Sequence, residues 1–149
     1  MTLLIASDHG GFELKQFLLQ RLRAAGREVE DLGTDDGSVS VDYPDYAAAV
    51  AARVAGDSSV LGILVCGTGI GMSIAANKFA GVRAALAHDE FTARMAREHN
   101  NANILVLGGR VLDADAAWQM VQVWLGAAFE GGRHQNRLGK ITQLEQARC

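Results

Sequence analysis

Cys66-Gly67-Thr68-Gly69-Ile70-Gly71 places a thiol directly before a glycine-spaced turn. Gly62 to Cys66 is mostly apolar and reads as a short strand buried on both faces. Met72 to Lys78 reads as the start of a helix. A strand, a glycine turn and a helix aim backbone N–H groups at one point, where an anion or a developing oxyanion can sit. A thiol at the lip of that cradle suits a nucleophile or a general base, because a helix N-terminus favours thiolate. A phosphatase loop would want an arginine near Met72, and a redox C-x-x-C pair would want cysteine at Gly69, so neither fits. The plainer alternatives are an inert core cysteine and a turn that only needs glycine at positive φ.

The spacing G-x-G-x-G differs from the dinucleotide fingerprint G-x-G-x-x-G, and no Gly-Lys-Ser/Thr follows as in a P-loop. Asp89, about 20 positions on, leaves a non-catalytic nucleotide-binding module as an alternative reading. The histidines are His9, His88, His99 and His134. None forms H-E-x-x-H or a comparable ligand pair, so no metal is expected. Asp8-His9 reads either as a proton shuttle or as a turn with a capping aspartate. His99 reads either as a reacting group or as a cation offsetting a helix dipole. Arg133, Arg137 and Lys140 share one helical face, and Arg133 follows the Gly131-Gly132 break. Such a face either binds phosphate through arginine forks or is simply solvated. Arg110 adds a further cation. A thiol, an oxyanion cradle, histidines and arginines together suit proton abstraction next to a carbonyl, with a remote phosphate orienting the substrate.

The elements that must position these residues alternate. Leu3 to Ala6 reads as a strand, Phe12 to Ala25 as a helix stopped by Gly26, and Glu28 to Leu32 as a second strand. Gly33 to Asp42 is a polar loop, and Pro44 opens a helix to about Ala55. After the Cys66 strand come a strand at Arg83 to Ala87, a helix from Asp89 to about His99, and a strand at Ile104 to Leu107. Asp113 caps a helix to about Phe129, and Arg133 to Arg148 forms a last helix. The pattern calls for an α/β, Rossmann-like three-layer sandwich: five parallel strands, helices on both faces, and a C-terminal helix. Ligands in such sheets sit beyond the carboxyl ends of the strands.

Composition bounds the rest. At 149 residues and 49% hydrophobic, the chain is expected to be one folded domain, residues 1–149. A net charge of −3 argues against nucleic acid, and no apolar run reaches the roughly 20 residues of a membrane span. The N-terminus lacks a basic region and a long apolar stretch, so no secretory signal is expected. Two cysteines, Cys66 and Cys149, give no disulfide framework and fit a reducing, cytoplasmic setting.

Ser7-Asp8-His9-Gly10-Gly11-Phe12, Asp42-Tyr43-Pro44, Cys66 to Gly71, Ile74 to Lys78, His99-Asn100 and Glu130 to His134 together resemble one family. It is ribose-5-phosphate isomerase type B, grouped with galactose-6-phosphate isomerase subunits and allose-6-phosphate isomerases. The resemblance spans about residues 3 to 146. It implies a metal-free aldose–ketose isomerase without a cofactor, acting on a phosphorylated sugar. By that likeness Cys66 is the base between C1 and C2, and the backbone of Gly67, Thr68, Gly69, Ile70 and Gly71 holds the enediolate. Asp8, His9 and His99 would bind sugar oxygens and help open the ring, with Thr68 in support. Asn100 would touch substrate, while Arg110, Arg133 and Arg137 would hold phosphate. Some members use a glutamate base where Met72 stands, so this chain resembles the cysteine type. The family builds each site from two subunits, which implies a homodimer or homotetramer. Ribose 5-phosphate is the expected substrate. Allose 6-phosphate, galactose 6-phosphate or a tetrose phosphate is the alternative. The Asp35 to Val41 loop matches least, and no role is carried over to it.

Overall fold

The computed structural model describes residues 1–148; Cys149 lies outside the described residues. Five parallel strands form one sheet: β1 (Thr2–Ser7), β2 (Val29–Asp31), β3 (Val60–Cys66), β4 (Ala84–Leu86) and β5 (Ile104–Gly108). Their spatial order is β2-β1-β3-β5-β4. The helices are α1 (Phe12–Ala24), α2 (Tyr43–Gly56), α3 (Ile70–Ala76), α4 (Glu90–Glu98), α5 (Ala114–Gly126) and α6 (Arg133–Gln146). This is the expected α/β architecture. Among the described residues, no helix is long and apolar enough to cross a membrane.

The period of two along each strand separates two cores. Leu3, Ile5, Leu61, Ile63, Val65, Leu105 and Leu107 meet α1, α4 and α5, with Trp124 fully buried among them. Leu4, Ala6, Leu64, Cys66, Ile104 and Val106 face the other way, onto α2 and α3. Leu3 lies beside Leu61 and Ile5 beside Ile63, so each core is continuous across the sheet. Gly62 lets α2 pack directly on the β3 backbone, since a Cβ there would lie 2.5 Å from Val50 Cγ1. The chain leaves β1 toward β2 and returns to β3 on the other side of β1. The carboxyl ends of β1 and β3 therefore flank a topological switch point.

Several boundaries differ from the sequence reading. α3 starts at Ile70 rather than Met72, because Gly69 at φ 82° turns the chain sharply and Thr68 Oγ1 accepts the Ile70 N–H at 3.3 Å. It ends at Ala76, where Asn77 bonds Ala84 through both ends of its side-chain amide and ties the helix to β4. β4 keeps three of the five expected residues, and α6 stops at Gln146, short of Arg148. α5 stops at Gly126, short of Phe129, with Ala127 already extended at ψ 152°. His9–Gly11 forms a single 3-10 turn before α1, the turn with a capping aspartate that was one of the two readings of Asp8-His9.

The loop after β2 is fixed by a buried cation. Lys15 on α1 is fully buried, with Nζ 2.7 Å from both Asp31 carboxylate oxygens and 2.8 Å from the Thr34 carbonyl. A charge out of water needs such a partner set. Ser7 and residues 33–34 continue the pairing: the Ser7 N–H donates to Gly33 O, and the Thr34 N–H to Ser7 O.

Candidate active site

Cys66 is the last residue of β3 and only 5% exposed, so its sulfur forms the floor of the turn rather than its lip. The Gly69 N–H donates to Cys66 Sγ at 3.2 Å. The turn folds back over the sulfur because Gly69 adopts positive φ. A Cβ at Gly69 would come within 2.5 Å of Leu86 Cδ1, the end of an exposed side chain that can move, and 3.2 Å from the Leu107 backbone, so the positive φ is the stronger reason for glycine. Gly71 is equally restricted: a Cβ would meet the Tyr43 ring at 2.5 Å. Met72 is fully buried in the core under the turn.

Two neighbouring strand ends are laced to this turn. The Gly109 N–H donates to Cys66 O at 2.8 Å, and the Arg110 N–H to Gly67 O at 2.9 Å. This holds the Arg110 guanidinium across the ends of β1 and β3. A Cβ at Gly10 or Gly67 would meet it at 3.3 or 3.2 Å. Asp8 is buried, and its Oδ1 accepts the Gly11 N–H at 3.0 Å, so it serves as the capping aspartate. The same oxygen stays near Gly10, beside Arg110. His9 Nδ1 accepts the Val41 N–H at 3.1 Å. A neutral imidazole then carries its proton on Nε2. A cavity of about 590 Å³ opens here, with His9, Gly10, Asp36, Ser38, Gly109 and Arg110 in its wall. The Ser38 hydroxyl and backbone N–H both donate to Asp36 and hold its carboxyl below the usual value.

The other expected residues lie elsewhere in the protomer. α4 starts at the carboxyl edge of the sheet and ends at the amino edge, where His99 and Asn100 follow it. The length of β5 separates them from Cys66, which pairs with Gly108 at the far end. Five residues at about 3.3 Å each make this roughly 16 Å. Arg133 and Arg137 also belong to this second group. The Glu130 N–H donates to Glu98 O at 3.0 Å and fastens the start of α6 to the end of α4. Both arginines are exposed. Arg83 and Arg97 wrap the adjoining turn through Asn100 O, Asn101 and Ala102 O. Burial lowers both guanidinium groups from their ordinary value.

Three residues here were given no role from the sequence. Tyr43 packs on the anion turn at Gly71. His134 stacks on His99 with ring centroids 4.1 Å apart and planes 13° apart. Glu130 Oε2 lies 3.3 Å from His134 Nε2 and 3.9 Å from His99 Nε2. Glu130 and His134 stood in the sequence as part of a family motif and at a four-residue spacing, but their tie to His99 is long-range. His99, Glu130 and His134 do bring three possible metal ligands within 4.8 Å, which the spacing argument did not foresee. Two near-parallel rings, however, direct their lone pairs side by side rather than onto one ion. Asp89, the acid of the nucleotide reading, is engaged as the N-cap of α4 in a reciprocal capping box with Thr92.

The ribose/galactose isomerase family model matches residues 3–141. Ribose-5-phosphate isomerase B of Escherichia coli is 50% identical over 141 residues, 95% of this chain and 94% of that protein. The structure of ribose-5-phosphate isomerase B from Clostridium thermocellum superimposes with TM-score 0.96 at 49% identity, covering 100% of both chains. The Mycoplasma genitalium enzyme, solved with bound ribulose 5-phosphate, gives TM-score 0.94 at 45% identity, covering 97% of this chain and 96% of that one.

Proposed function

The chain belongs to the ribose/galactose isomerase family, and we propose that it interconverts ribose 5-phosphate and ribulose 5-phosphate through an enediolate with Cys66 as base. In the open-chain aldose, the Cys66 thiolate removes the proton from C2. The electron pair moves into the C1–C2 bond and charge gathers on the O1 side. A proton passes from O2 to O1, and the proton taken from C2 returns at C1, leaving a carbonyl at C2 and a hydroxyl at C1 in the ketose. Backbone N–H groups of Gly67 to Gly71 hold the oxyanion as it forms, where preorganised donors are most effective. The observation that carries this reading is the Gly69 N–H to Cys66 Sγ hydrogen bond, made at a switch point with Arg110 across it.

Asp8 and the Nε2–H of His9 bind sugar oxygens, with Thr68 in support. Arg110 holds the phosphate from the same protomer. His99, Asn100, Arg133 and Arg137 come from a second copy, because within one protomer the sheet separates them from Cys66. A homodimer, with a tetramer as a pair of dimers, supplies two such sites. Support comes from Ile70 and Ile74, exposed at 56% and 58% on the outer side of α3 next to the turn, where a second copy would bury them.

The test is purified protein with ribose 5-phosphate in excess chelator, followed by detection of the ketose. Turnover should survive chelation and vanish in a folded Cys66→Ala variant; loss on chelation would contradict proton transfer without a metal. Comparing kcat/KM for ribose 5-phosphate with allose 6-phosphate, galactose 6-phosphate and a tetrose phosphate settles the sugar.

A further inference from the structure

We infer that His134 is a positioning residue for His99. Its stacked ring fixes the plane in which His99 presents its N–H to the oxygen of the closed sugar ring. The inference rests on the reading that His99 helps open that ring.

His99 needs such support. It follows the last turn of α4, and its side chain is 37% exposed, so little else holds the imidazole. A proton donor must be aimed as well as near. His134 is the opposite case. It lies in the first turn of α6, is only 5% exposed, and its Nε2 makes no hydrogen bond. Gly131 and Gly132, at φ 68° and 56°, turn the chain so that His134 folds back beneath His99. The Glu130–Glu98 backbone bond fixes the approach. The Glu130 carboxylate lies 3.9 Å from His99 Nε2, beyond hydrogen-bond reach, so it does not fix the ring plane as the stack does. A rigid plate under a mobile donor is the result.

Phenylalanine supplies the control. A phenyl ring at 134 keeps the plate and gives up only the 3.3 Å approach of Nε2 to the Glu130 carboxylate, whereas alanine removes both. Ring opening is needed only from the furanose of ribose 5-phosphate. Ribulose 5-phosphate is acyclic, because its O5 is phosphorylated. Exchange of its C1 hydrogen with D₂O therefore reports the Cys66 step alone. The experiment compares wild type, H134A, H134F and H99N, each confirmed folded by circular dichroism. Readouts are kcat and KM with ribose 5-phosphate, and C1–H exchange of ribulose 5-phosphate by NMR. H134A should lower kcat about tenfold or more with little change in KM, H134F should recover most of it, and exchange should stay within about twofold in both. H99N should lose conversion by a much larger factor than exchange. Wild-type conversion by H134A, equal loss of exchange and conversion, or no recovery in H134F would each overturn the role of His134. If H99N itself converts at the wild-type rate, the reading of His99 falls and the inference with it.

Discussion

The Gly69 main-chain N–H donates to Cys66 Sγ across 3.2 Å, three residues back along the chain. The contact closes a loop that only a residue at positive φ can make, and the Leu107 backbone and Leu86 crowd any side chain there. Conformation, space and sulfur chemistry thus meet at one glycine.

Gly69→Ala should therefore damage both stability and turnover. The strained φ and the contact with Leu86 should cost about 1–3 kcal/mol in urea unfolding. A displaced N–H should lower kcat at least tenfold, since oxyanion-type donors are worth about 10²–10³ each. A stable, fully active G69A would show that the N–H has no part in the reaction.

Sharing of the site between copies can be tested by mixing two dead variants. Cys66→Ala and His99→Asn subunits, unfolded and refolded together, give hybrids with one intact site and one doubly damaged site. About a quarter of wild-type activity should return for random two-fold pairing. No recovery despite demonstrated hybrid formation would place both residues in one protomer's site.

Arg110→Gln should weaken phosphate binding without touching the base. Losing a charge-assisted pair costs about 1.5–3 kcal/mol, so KM for ribose 5-phosphate should rise about tenfold or more. Activity on unphosphorylated ribose should change far less. An equal loss on both sugars would remove Arg110 from phosphate binding.

Lys15→Met should cost about 3–5 kcal/mol in urea unfolding, because Asp31 keeps its charge and loses its partner. Lys15→Met with Asp31→Asn should recover part of that loss. A neutral single variant would contradict the buried pair as the anchor of the loop after β2.

Strands and cores were legible in the sequence because they depend on local alternation. Leu3, Ile5, Leu61 and Ile63 announce their face by spacing alone, and Asp113 announces its helix by its cap. Cys66 with its glycine turn was legible because every residue needed is adjacent. The start of α3 was misplaced because Gly69 itself caps the helix and Thr68 Oγ1 takes the Ile70 N–H, so the helix begins two residues before Met72. Lys15 reads as a polar position on an amphipathic helix, and only Asp31 and Thr34, brought in from β2, explain its burial. No role was legible for His134 and Glu130 for the same reason: the stack with His99 joins residues 35 positions apart. The distance from His99 to Cys66 was also hidden, because it depends on which edge of the sheet each connection reaches.

Exchange of the C1 hydrogen of ribulose 5-phosphate with D₂O, catalysed by Cys66→Ala, tests the base most directly. It needs no ring opening and no aldose release. A folded, dimeric C66A should lose exchange by about 10²-fold or more, the range a general base supplies. Exchange at the wild-type rate would mean that another group removes the proton.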